Sequence, residues 1–413
     1  MTADPPDTPD TGVGQDALDA PLTGAGPGSP PLRVFLDVSA VPERPVGAGH
    51  YILQLATHLA ARTDVDPVLC SRSGDRARWA PLVPPQDLLA AAPDPRPLRL
   101  AWEQLRLGPL VTASGAAVHH GPHYTMPRRT TVPSVVTVHD LSFFDEPEWH
   151  ERSKVALFTR AIRRAAREAA VVVCPSQFTA DAFHRWCRVE CEVVVAPHGV
   201  DTVRFRPEES VVGSDAARLA SMDPRLADDR PLLVFVGTLE PRKDVPTLVR
   251  AFASVAARHP DGLLVLAGGR GWGADAVDAA VTSSGVGERI VRTGYVADED
   301  IPALLRSAAA VVYPSLYEGF GLPALEALAC GAPLVTTLGT AMEEVAGSSA
   351  LLVRPGDAGA LAEVLDVVLA GAGDDRAVSE RRATGFDIVA HHTWARSAAL
   401  HVGAYRTAVA AAR

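Results

Sequence analysis

Two adjacent cations, Arg242 and Lys243, stand where a strand would meet a helix. An apolar run over residues 232–236 predicts the strand, and a helical pattern follows over residues 246–257. Cations at such a position can clamp a diphosphate and stabilise the charge on a departing one. Lysine is a compact point charge that arginine does not reproduce. Only Lys154 and Lys243 among the 39 basic residues are lysines, so Lys243 is a candidate for a specific role. An exposed basic pair is the alternative.

A second segment combines two carboxylates with a glycine-rich loop. Glu318 directly precedes Gly319 and Gly321, and Glu326 lies one turn inside the helix expected to follow. Glycines let backbone amides approach a ligand, and a helix N-terminus favours an anion. Carboxylates beside a phosphate would repel it unless they bound neutral neighbours, and sugar hydroxyls are such neighbours. We expect ribose on one side and a hexose on the other. Ordinary first-turn acids, worth ~0.3–1 kcal/mol each, are the alternative.

The elements that position these groups come in two successive sets. Continuous apolar strands alternate with helical patterns, which indicates parallel sheets covered on both faces. We therefore predict an α/β fold with two doubly wound, Rossmann-like domains that face a cleft, as the length of 413 residues also suggests. The predicted strands are residues 33–38, 66–70, 134–138, 171–174 and 192–196 in the first set, and 232–236, 263–267, 290–292, 310–313, 334–337 and 351–353 in the second.

Four segments follow from this pattern. Residues 1–31 hold five Asp, many Pro and Gly, and no Lys, Arg or aromatic residue, which predicts a disordered acidic tail. Residues 32–205 form the N-terminal domain that we expect to bind the acceptor. Residues 206–390, which start with a Pro/Asp-rich linker over 206–230, form the donor domain. Residues 391–413 predict a helix that packs back on the N-terminal domain.

Ligands of such sheets bind beyond the carboxyl ends of the strands, so polar and small residues there are candidates. Two sheets that face each other bring both sets of strand ends into one cleft, a usual location for a large ligand. The candidates are Asp37, His139, Asp140, Pro175, Ser176, His198, Gly199, residues 237–240, Gly268, Gly269, Gly294, Tyr295 and residues 314–318.

From residue 32 to the C-terminus, and most strongly over residues 232–333, the chain resembles the family 4 glycosyltransferases, which are retaining enzymes of GT-B fold. The resemblance implies that Glu318 contacts the donor hexose and that Glu326 holds the ribose. It also implies that Lys243 binds phosphate. The backbone amides of three further residues would contact sugar and phosphates: Phe320, Gly321 and Leu322.

One position departs from the family pattern. Many members carry arginine where this chain has Thr238, directly after Gly237. We expect Arg242 to supply the missing charge.

Other segments agree with the resemblance. His139 is similar to the family's histidine near the donor sugar, although a strand-end histidine is often structural. The loop with Gly47 and Gly49 is similar to the glycine loop that faces the diphosphate. The remaining matches are Gly268 and Gly269, expected to approach the sugar nucleotide, and Tyr295 and Val296, whose backbone is expected to meet the nucleobase.

No metal and no other cofactor is expected. Residues 298–300 read Asp-Glu-Asp, but they start a helix predicted over residues 301–309, where capping and dipole effects account for them. The five cysteines are too few and scattered for a disulfide framework.

The resemblance thus implies retaining transfer of a hexose from a nucleotide diphosphate sugar to a hydroxyl of a glycan, glycolipid or small molecule. The form Gly-Thr-Leu-Glu-Pro-Arg-Lys over residues 237–243 resembles bacterial mannosyltransferases and favours GDP-mannose. UDP-glucose and UDP-N-acetylglucosamine are alternative donors. A non-catalytic sugar-nucleotide-binding protein is the alternative of another class, and a nucleotide-sugar epimerase is a further one.

Charge and hydropathy limit which partners and which location are expected for the protein. A net charge of −10 argues against a nucleic-acid binder. No apolar run approaches a membrane span, and the N-terminus lacks a signal-like pattern, so a cytoplasmic protein is expected. A basic helical segment allows three interpretations. It contacts anionic lipid at the inner face of the membrane, it contacts a phosphorylated acceptor, or it is a solvated charged face. Its cations are Arg152, Lys154, Arg160, Arg163, Arg164 and Arg167.

Overall fold

The computed structural model describes residues 30–207, 212–371 and 375–412. The predicted acidic tail lies outside these residues except for Pro30 and Pro31. The described chain forms two parallel β-sheets with helices on both faces, which confirms the predicted α/β architecture.

Seven parallel strands form the first sheet in the order β3-β2-β1-β4-β5-β6-β7. The strands are β1 (Leu32–Asp37), β2 (Val65–Arg72), β3 (Leu88–Ala92), β4 (Val118–Gly121), β5 (Ser134–Thr137), β6 (Val171–Cys174) and β7 (Glu192–Val195). The helices are α1 (Ala48–Ala60), α2 (Arg76–Trp79), α3 (Arg96–Trp102), α4 (Gly108–Ala113), α5 (Ser142–Asp145), α6 (Arg152–Glu168) and α7 (Gln177–Trp186). A π-helical turn, Glu103–Leu107, joins α3 to α4.

Six parallel strands form the second sheet in the order β10-β9-β8-β11-β12-β13. The strands are β8 (Leu232–Val236), β9 (Leu263–Ala267), β10 (Ile290–Gly294), β11 (Ala308–Val312), β12 (Leu334–Thr337) and β13 (Ala350–Val353). The helices are α8 (Val212–Met222), α9 (Val245–Val255), α10 (Ala274–Ser283), α11 (Ile301–Arg306), α12 (Leu322–Ala329), α13 (Ala341–Ala346), α14 (Ala358–Leu369) and α15 (Asp375–His391).

The strand order reverses at one point in each sheet, between β1 and β4 and between β8 and β11. Loops that leave neighbouring strands diverge there, and the crevice between them is where open α/β sheets bind ligands. In the second sheet, the loop after β8 carries Arg242 and Lys243, and the loop after β11 carries Glu318. The topology therefore places the two candidate segments on opposite sides of one crevice.

The last helix, α16 (Trp394–Ala411), packs on the first domain rather than the second. Trp394, Ala398 and Tyr405 belong to the hydrophobic core around β1 and α1. The Tyr405 hydroxyl is 2.8 Å from His120 Nδ1 in β4. The chain thus crosses between the domains twice.

Several elements were not predicted, and one predicted helix ends earlier than expected. Strands β3 and β4 were not predicted, because β3 is rich in alanine and β4 contains His119 and His120, which are buried polar residues. The helix predicted over residues 301–309 ends at Arg306, since Ala308 already pairs with Leu232 of β8. The expected linker contains α8, and α15 was not predicted. None of the helices within the described residues has the length and hydropathy to cross a membrane.

Candidate active site

Glu318 lies at the centre of a buried charge cluster in the second domain. Its Oε2 accepts a hydrogen bond from Arg242 at 2.6 Å, and its Oε1 accepts one from Lys243 Nζ. Glu318 and Lys243 are each only 7% exposed. Arg242 also reaches Oε2 of the more exposed Glu240 at 2.9 Å. The cluster joins the two segments that the sequence singled out, although they lie 75 residues apart.

Burial and charge act against each other on these groups. Burial disfavours the ionised Glu318, but the charges of Arg242 and Lys243 outweigh it and lower the pKa of Glu318 to about 2. For Lys243, burial outweighs the attraction of Glu318 and lowers its pKa below the usual value. Arg242 keeps a raised pKa because Glu318, Glu240 and Asp140 together outweigh its desolvation. Glu318 is therefore ionised at neutral pH, and its partners share its charge.

Local backbone geometry holds both cations in place. Residues Pro241–Lys243 form a short 3-10 turn that ends at Asp244, which has a left-handed φ of 44°. The Arg242 carbonyl accepts a hydrogen bond from the Leu316 amide at 2.8 Å, which ties this turn to the loop after β11. Because the turn is fixed at both ends, the cations point into the crevice without loop rearrangement.

Gly237 and Gly268 allow the strand ends above the crevice to approach closely. A Cβ on Gly268 would lie 1.9 Å from the Gly237 carbonyl oxygen, so no larger residue fits there. Gly269 accepts a hydrogen bond from the Leu239 amide at 3.1 Å. Thr238, the neutral residue after Gly237, is half-buried beside Gly271. Arg242 is consequently the nearest described cation that supplements Lys243 at Glu318.

Glu326 offers a carboxylate that makes no hydrogen bond to any described residue. It lies in α12, is half-buried, and has a pKa raised to about 7, because burial and the nearby Asp298 and Asp201 outweigh Arg204. An unpaired acceptor next to a crevice is suited to a ligand that donates hydrogen bonds, as hydroxyl groups do.

The loop at the start of α12 connects these two glutamates to the first domain. Gly321 precedes the helix with a φ of 104°, and its Cβ would lie 2.8 Å from Met342. Phe320 is buried against the ring of His198, 4.8 Å between centroids. Leu322 is the first residue of α12 and is half-buried. The amides expected to bind a donor thus belong to a backbone held by packing from both domains.

His139 of the first domain lies across from this loop. Its Nε2 is 2.8 Å from the Pro122 carbonyl oxygen, which can only accept, so Nε2 carries the hydrogen and Nδ1 is the free acceptor. Burial lowers the pKa of His139, which keeps the ring neutral. The His139 carbonyl oxygen would lie 1.8 Å from a Cβ on Gly319. The two domains therefore meet directly at the residue after Glu318.

Helix α7 makes a second set of contacts across the cleft. Ser176 Oγ and Thr179 Oγ1 both donate to the Gly319 carbonyl, at 2.6 and 2.8 Å. The Glu344 carboxylate of α13 accepts from the amides of Gln177 and Phe178, both at 2.8 Å. Ser176 was a strand-end candidate, but no sequence signal pointed to Glu344. These contacts hold the cleft closed.

The glycine loop of the first domain lies beside the segment that was expected to meet the nucleobase. Gly47 precedes α1 with a φ of 44°, and Gly49 packs on Pro42 and Pro45. Arg44 of this loop lies over the ring of Tyr295 at 5.3 Å, and His50 Nε2 is 3.7 Å from Asp298. Tyr295 is 54% exposed, whereas Val296 is buried in the core.

The arrangement combines fixed positive charge and the amides at the start of α12 with two hydrogen-bond acceptors, Glu326 and His139 Nδ1, that ligand hydroxyl groups can use. It can bind a diphosphate with sugars on either side and stabilise charge that develops on a leaving phosphate. Asp298 and Asp300 contact arginine side chains, Arg204 and Arg218. Among the residues that the structure describes, no three His, Cys, Asp or Glu side chains cluster as they would around a metal ion.

Comparisons with known proteins relate both parts of the chain to glycosyltransferases. The model "Glycosyltransferase Family 4" matches residues 45–204, and the model "Glycosyl transferases group 1" matches residues 220–384. The O-antigen chain mannosyltransferase B of Escherichia coli is 32% identical over 249 residues, which cover 59% of this chain and 63% of that protein.

Two further proteins are similar. A GDP-mannose-dependent alpha-(1-6)-phosphatidylinositol monomannoside mannosyltransferase of Mycolicibacterium smegmatis is 30% identical over 243 residues, which cover 57% of this chain and 60% of that protein. This chain therefore spans less than two thirds of the length of either mannosyltransferase. The sucrose-phosphate synthase of Thermosynechococcus elongatus has the same fold, with a TM-score of 0.74 at 24% identity over 92% of this chain and 100% of that chain.

Proposed function

We propose that this chain, which belongs to the glycosyltransferases that combine a family 4 domain with a group 1 domain, transfers mannose from GDP-mannose to an acceptor hydroxyl with retention of the anomeric configuration. The observation that carries the proposal is the buried cluster of Arg242, Lys243 and Glu318 beside the uncommitted Glu326. GDP-mannose is favoured because curated relatives are mannosyltransferases, one of them GDP-mannose-dependent by name.

In the proposed complex, the donor diphosphate lies against Arg242 and Lys243. The bond between the anomeric carbon and the β-phosphate oxygen breaks, and the acceptor oxygen bonds to the same face of that carbon. The acceptor proton passes to the departing phosphate. The two cations, with the amides at the start of α12, stabilise the negative charge of the leaving diphosphate. Charge stabilisation of this kind is provided by the chain's own side chains and needs no metal.

The two glutamates bind the sugars on either side of the diphosphate. Glu318 orients the mannose through its hydroxyls, while its bonds to Arg242 and Lys243 hold the cations near the same ring. Glu326 accepts from the ribose hydroxyls. His139 offers its free Nδ1 as an acceptor to the mannose, and its neutral state avoids adding a charge beside the reacting carbon. We place the acceptor on the first domain, and a cytoplasmic location with peripheral membrane contact stays a prediction.

Replacement of the two lysines tests this function. Lys243→Ala is expected to reduce the release of GDP from GDP-mannose by ~10²–10³-fold, the usual loss when one group that stabilises the leaving charge is removed. Lys154→Ala is the matched control, because Lys154 is half-buried on α6 in the first domain and pairs with Glu151 at 2.9 Å. Glu318→Ala is expected to lose transfer as well. Near-wild-type rates for both site variants would show that the assignment is wrong.

A further inference from the structure

The first domain has a groove whose charge is not balanced by its surroundings. This arginine groove, about 560 Å³ in volume, lies between α3, the loop after β4 and α6, and its basic residues are Arg128, Arg129, Arg160 and Arg164. Glu168 is its single acidic residue, and Arg164 already pairs with it. Arg128, Arg129 and Arg160 have no carboxylate partner among the described residues. Three positive charges thus remain uncompensated around one cavity.

The groove is built rather than accidental. Arg164 donates to the carbonyl oxygens of Met126, Pro127 and Arg128, so it fastens the loop after β4 to α6. The same loop is fixed on its other side, since a Cβ on Gly108 would lie 1.9 Å from the Arg129 carbonyl oxygen. The backbone that carries Arg128 and Arg129 is therefore fixed against α6, and the side chains of Arg128, Arg129 and Arg160 are exposed to a ligand from solvent.

A smaller cavity continues this groove toward the active site. This carboxylate cavity, about 30 Å³ in volume, is lined by Asp37, Glu103 and His123, with Arg96 and Arg99 beside them. It shares Leu100 and Thr125 with the arginine groove. Its volume suits about one hydroxyl group or water molecule. Glu103 is the first residue of the π-helical turn, and such turns are frequent at functional sites.

The carboxylate cavity lies at the switch point of the first sheet. Asp37 is the last residue of β1, and the His123 ring is 5.8 Å from the ring of His139. Asp37 accepts one hydrogen bond from the Ser39 amide, and Glu103 accepts one from Thr125 and a longer one, at 3.3 Å, from the Gln104 side chain. Both carboxyl groups are buried, and burial together with Asp37 raises the pKa of Glu103 to about 8. They therefore keep lone pairs that a ligand hydroxyl can use.

We propose that the acceptor is a phosphate ester, with its sugar or polyol hydroxyl at the carboxylate cavity and its phosphate in the arginine groove. This rests on the proposed function, because the acceptor hydroxyl is taken to meet the donor beside His139. A phosphate fits better than a carboxylate, since it carries more charge and more oxygens for forked guanidinium contacts. The same phosphate chemistry occurs in a soluble sugar phosphate and in a phospholipid headgroup.

Calorimetric titration of inorganic phosphate tests the groove without a known acceptor. The full chain is first titrated with GDP, which fills the site at Lys243 and tests the proposed function separately. Phosphate is then added. Arg160→Glu is expected to weaken its affinity at least tenfold and to leave GDP affinity unchanged. Arg152→Glu, the same change on α6 outside the groove, is expected to alter neither by more than twofold. Equal phosphate affinities in the two variants would overturn the proposal.

Competition identifies the source of the phosphate. Mannose 6-phosphate that displaces inorganic phosphate would indicate a soluble acceptor, and displacement only by phosphatidylinositol vesicles would indicate a lipid headgroup. Displacement by neither would mean an adventitious ion only and would contradict the proposal. If mannose 6-phosphate competes, Asp37→Asn is expected to weaken it at least threefold while inorganic phosphate binds as before. An unchanged affinity for mannose 6-phosphate would show that the carboxylate cavity is not part of the acceptor site.

Discussion

Glu318→Gln tests the buried charge cluster at the centre of the candidate active site. The glutamine keeps the size of the side chain but removes the negative charge that Arg242 and Lys243 share. Lys243 then has no carboxylate partner among the described residues, while Arg242 keeps its contact with the more exposed Glu240. We expect the ligand-free variant to be less stable than the wild type and GDP to restore much of the loss, because its phosphates supply the missing charge.

The geometry sets the size of this effect. Each pair has charge centres about 4 Å apart, which corresponds to about 4 kcal/mol of attraction at the effective dielectric of a partly buried site. Removal of one partner from a buried pair costs about 3–5 kcal/mol. Lys243 limits the cost, since burial already lowers its pKa and it can release its proton. We therefore expect about 3 kcal/mol, or a decrease of at least about 6 °C in the melting temperature of the second domain.

Thermal unfolding with and without GDP measures both effects. Glu240→Gln is the matched control, because Glu240 pairs with the same Arg242 but its side chain is 39% exposed. Solvent screens such pairs, so this variant is expected to lose less than about 1 kcal/mol. GDP at a hundred times its Kd adds about 2.7 kcal/mol to the wild type and is expected to add more to Glu318→Gln. Equal melting temperatures of the Glu318→Gln protein and the Glu240→Gln control would show that Glu318 does not balance a buried positive charge.

Three further predictions concern the surrounding groups. GDP affinity measured by calorimetry is expected to increase from pH 6 to pH 8 more in the wild type than in Glu326→Gln, because the carboxyl group with a pKa of about 7 becomes a stronger acceptor when it ionises; equal slopes would contradict this. Glu344→Ala is expected to open the cleft and raise the radius of gyration in X-ray scattering, whereas Glu343→Ala, which removes a bond only to Gly339, is not. Burial lowers the pKa of His401 to about 4, so the unfolded chain takes up its proton first and stability decreases as pH falls below 6.5, by about 1.4 kcal/mol per unit. Urea unfolding at pH 7 and pH 5 is expected to show a smaller decrease in the free energy of unfolding for His401→Gln than for the wild type. An identical decrease would show that His401 does not cause the pH dependence.

Apolar periodicity predicted most of the two sheets, because strands covered on both faces consist of continuous apolar runs. It failed where burial does not depend on an apolar side chain. Strand β4 contains His119 and His120, and His120 is buried because it bonds to Thr137 and to Tyr405 in the last helix. That partner lies 285 residues away, so no local pattern could identify β4 as a core strand.

The candidate site was also predictable only in part. Strand ends of a parallel sheet meet at one edge, so the approach of Lys243 to Glu318 could be expected from motif positions alone. The direct bonds of Glu318 to both cations could not, because they depend on the loop conformations after β8 and β11. The contact of Glu344 with the start of α7 joins residues 167 positions apart and has no signature in either segment. Such contacts become visible only when the domains are placed together.

Donor turnover by the described protein tests the proposed role of Lys243 in transfer from a nucleotide sugar. The wild type, Lys243→Ala and Lys154→Ala proteins are incubated with GDP-mannose, UDP-glucose or UDP-N-acetylglucosamine in the presence of a chelator, and release of the nucleoside diphosphate is measured. We predict release of GDP from GDP-mannose by the wild type and by Lys154→Ala, with at least a hundredfold loss in Lys243→Ala. Absence of release from every donor, or equal rates in the two lysine variants, would show that the proposed function is wrong.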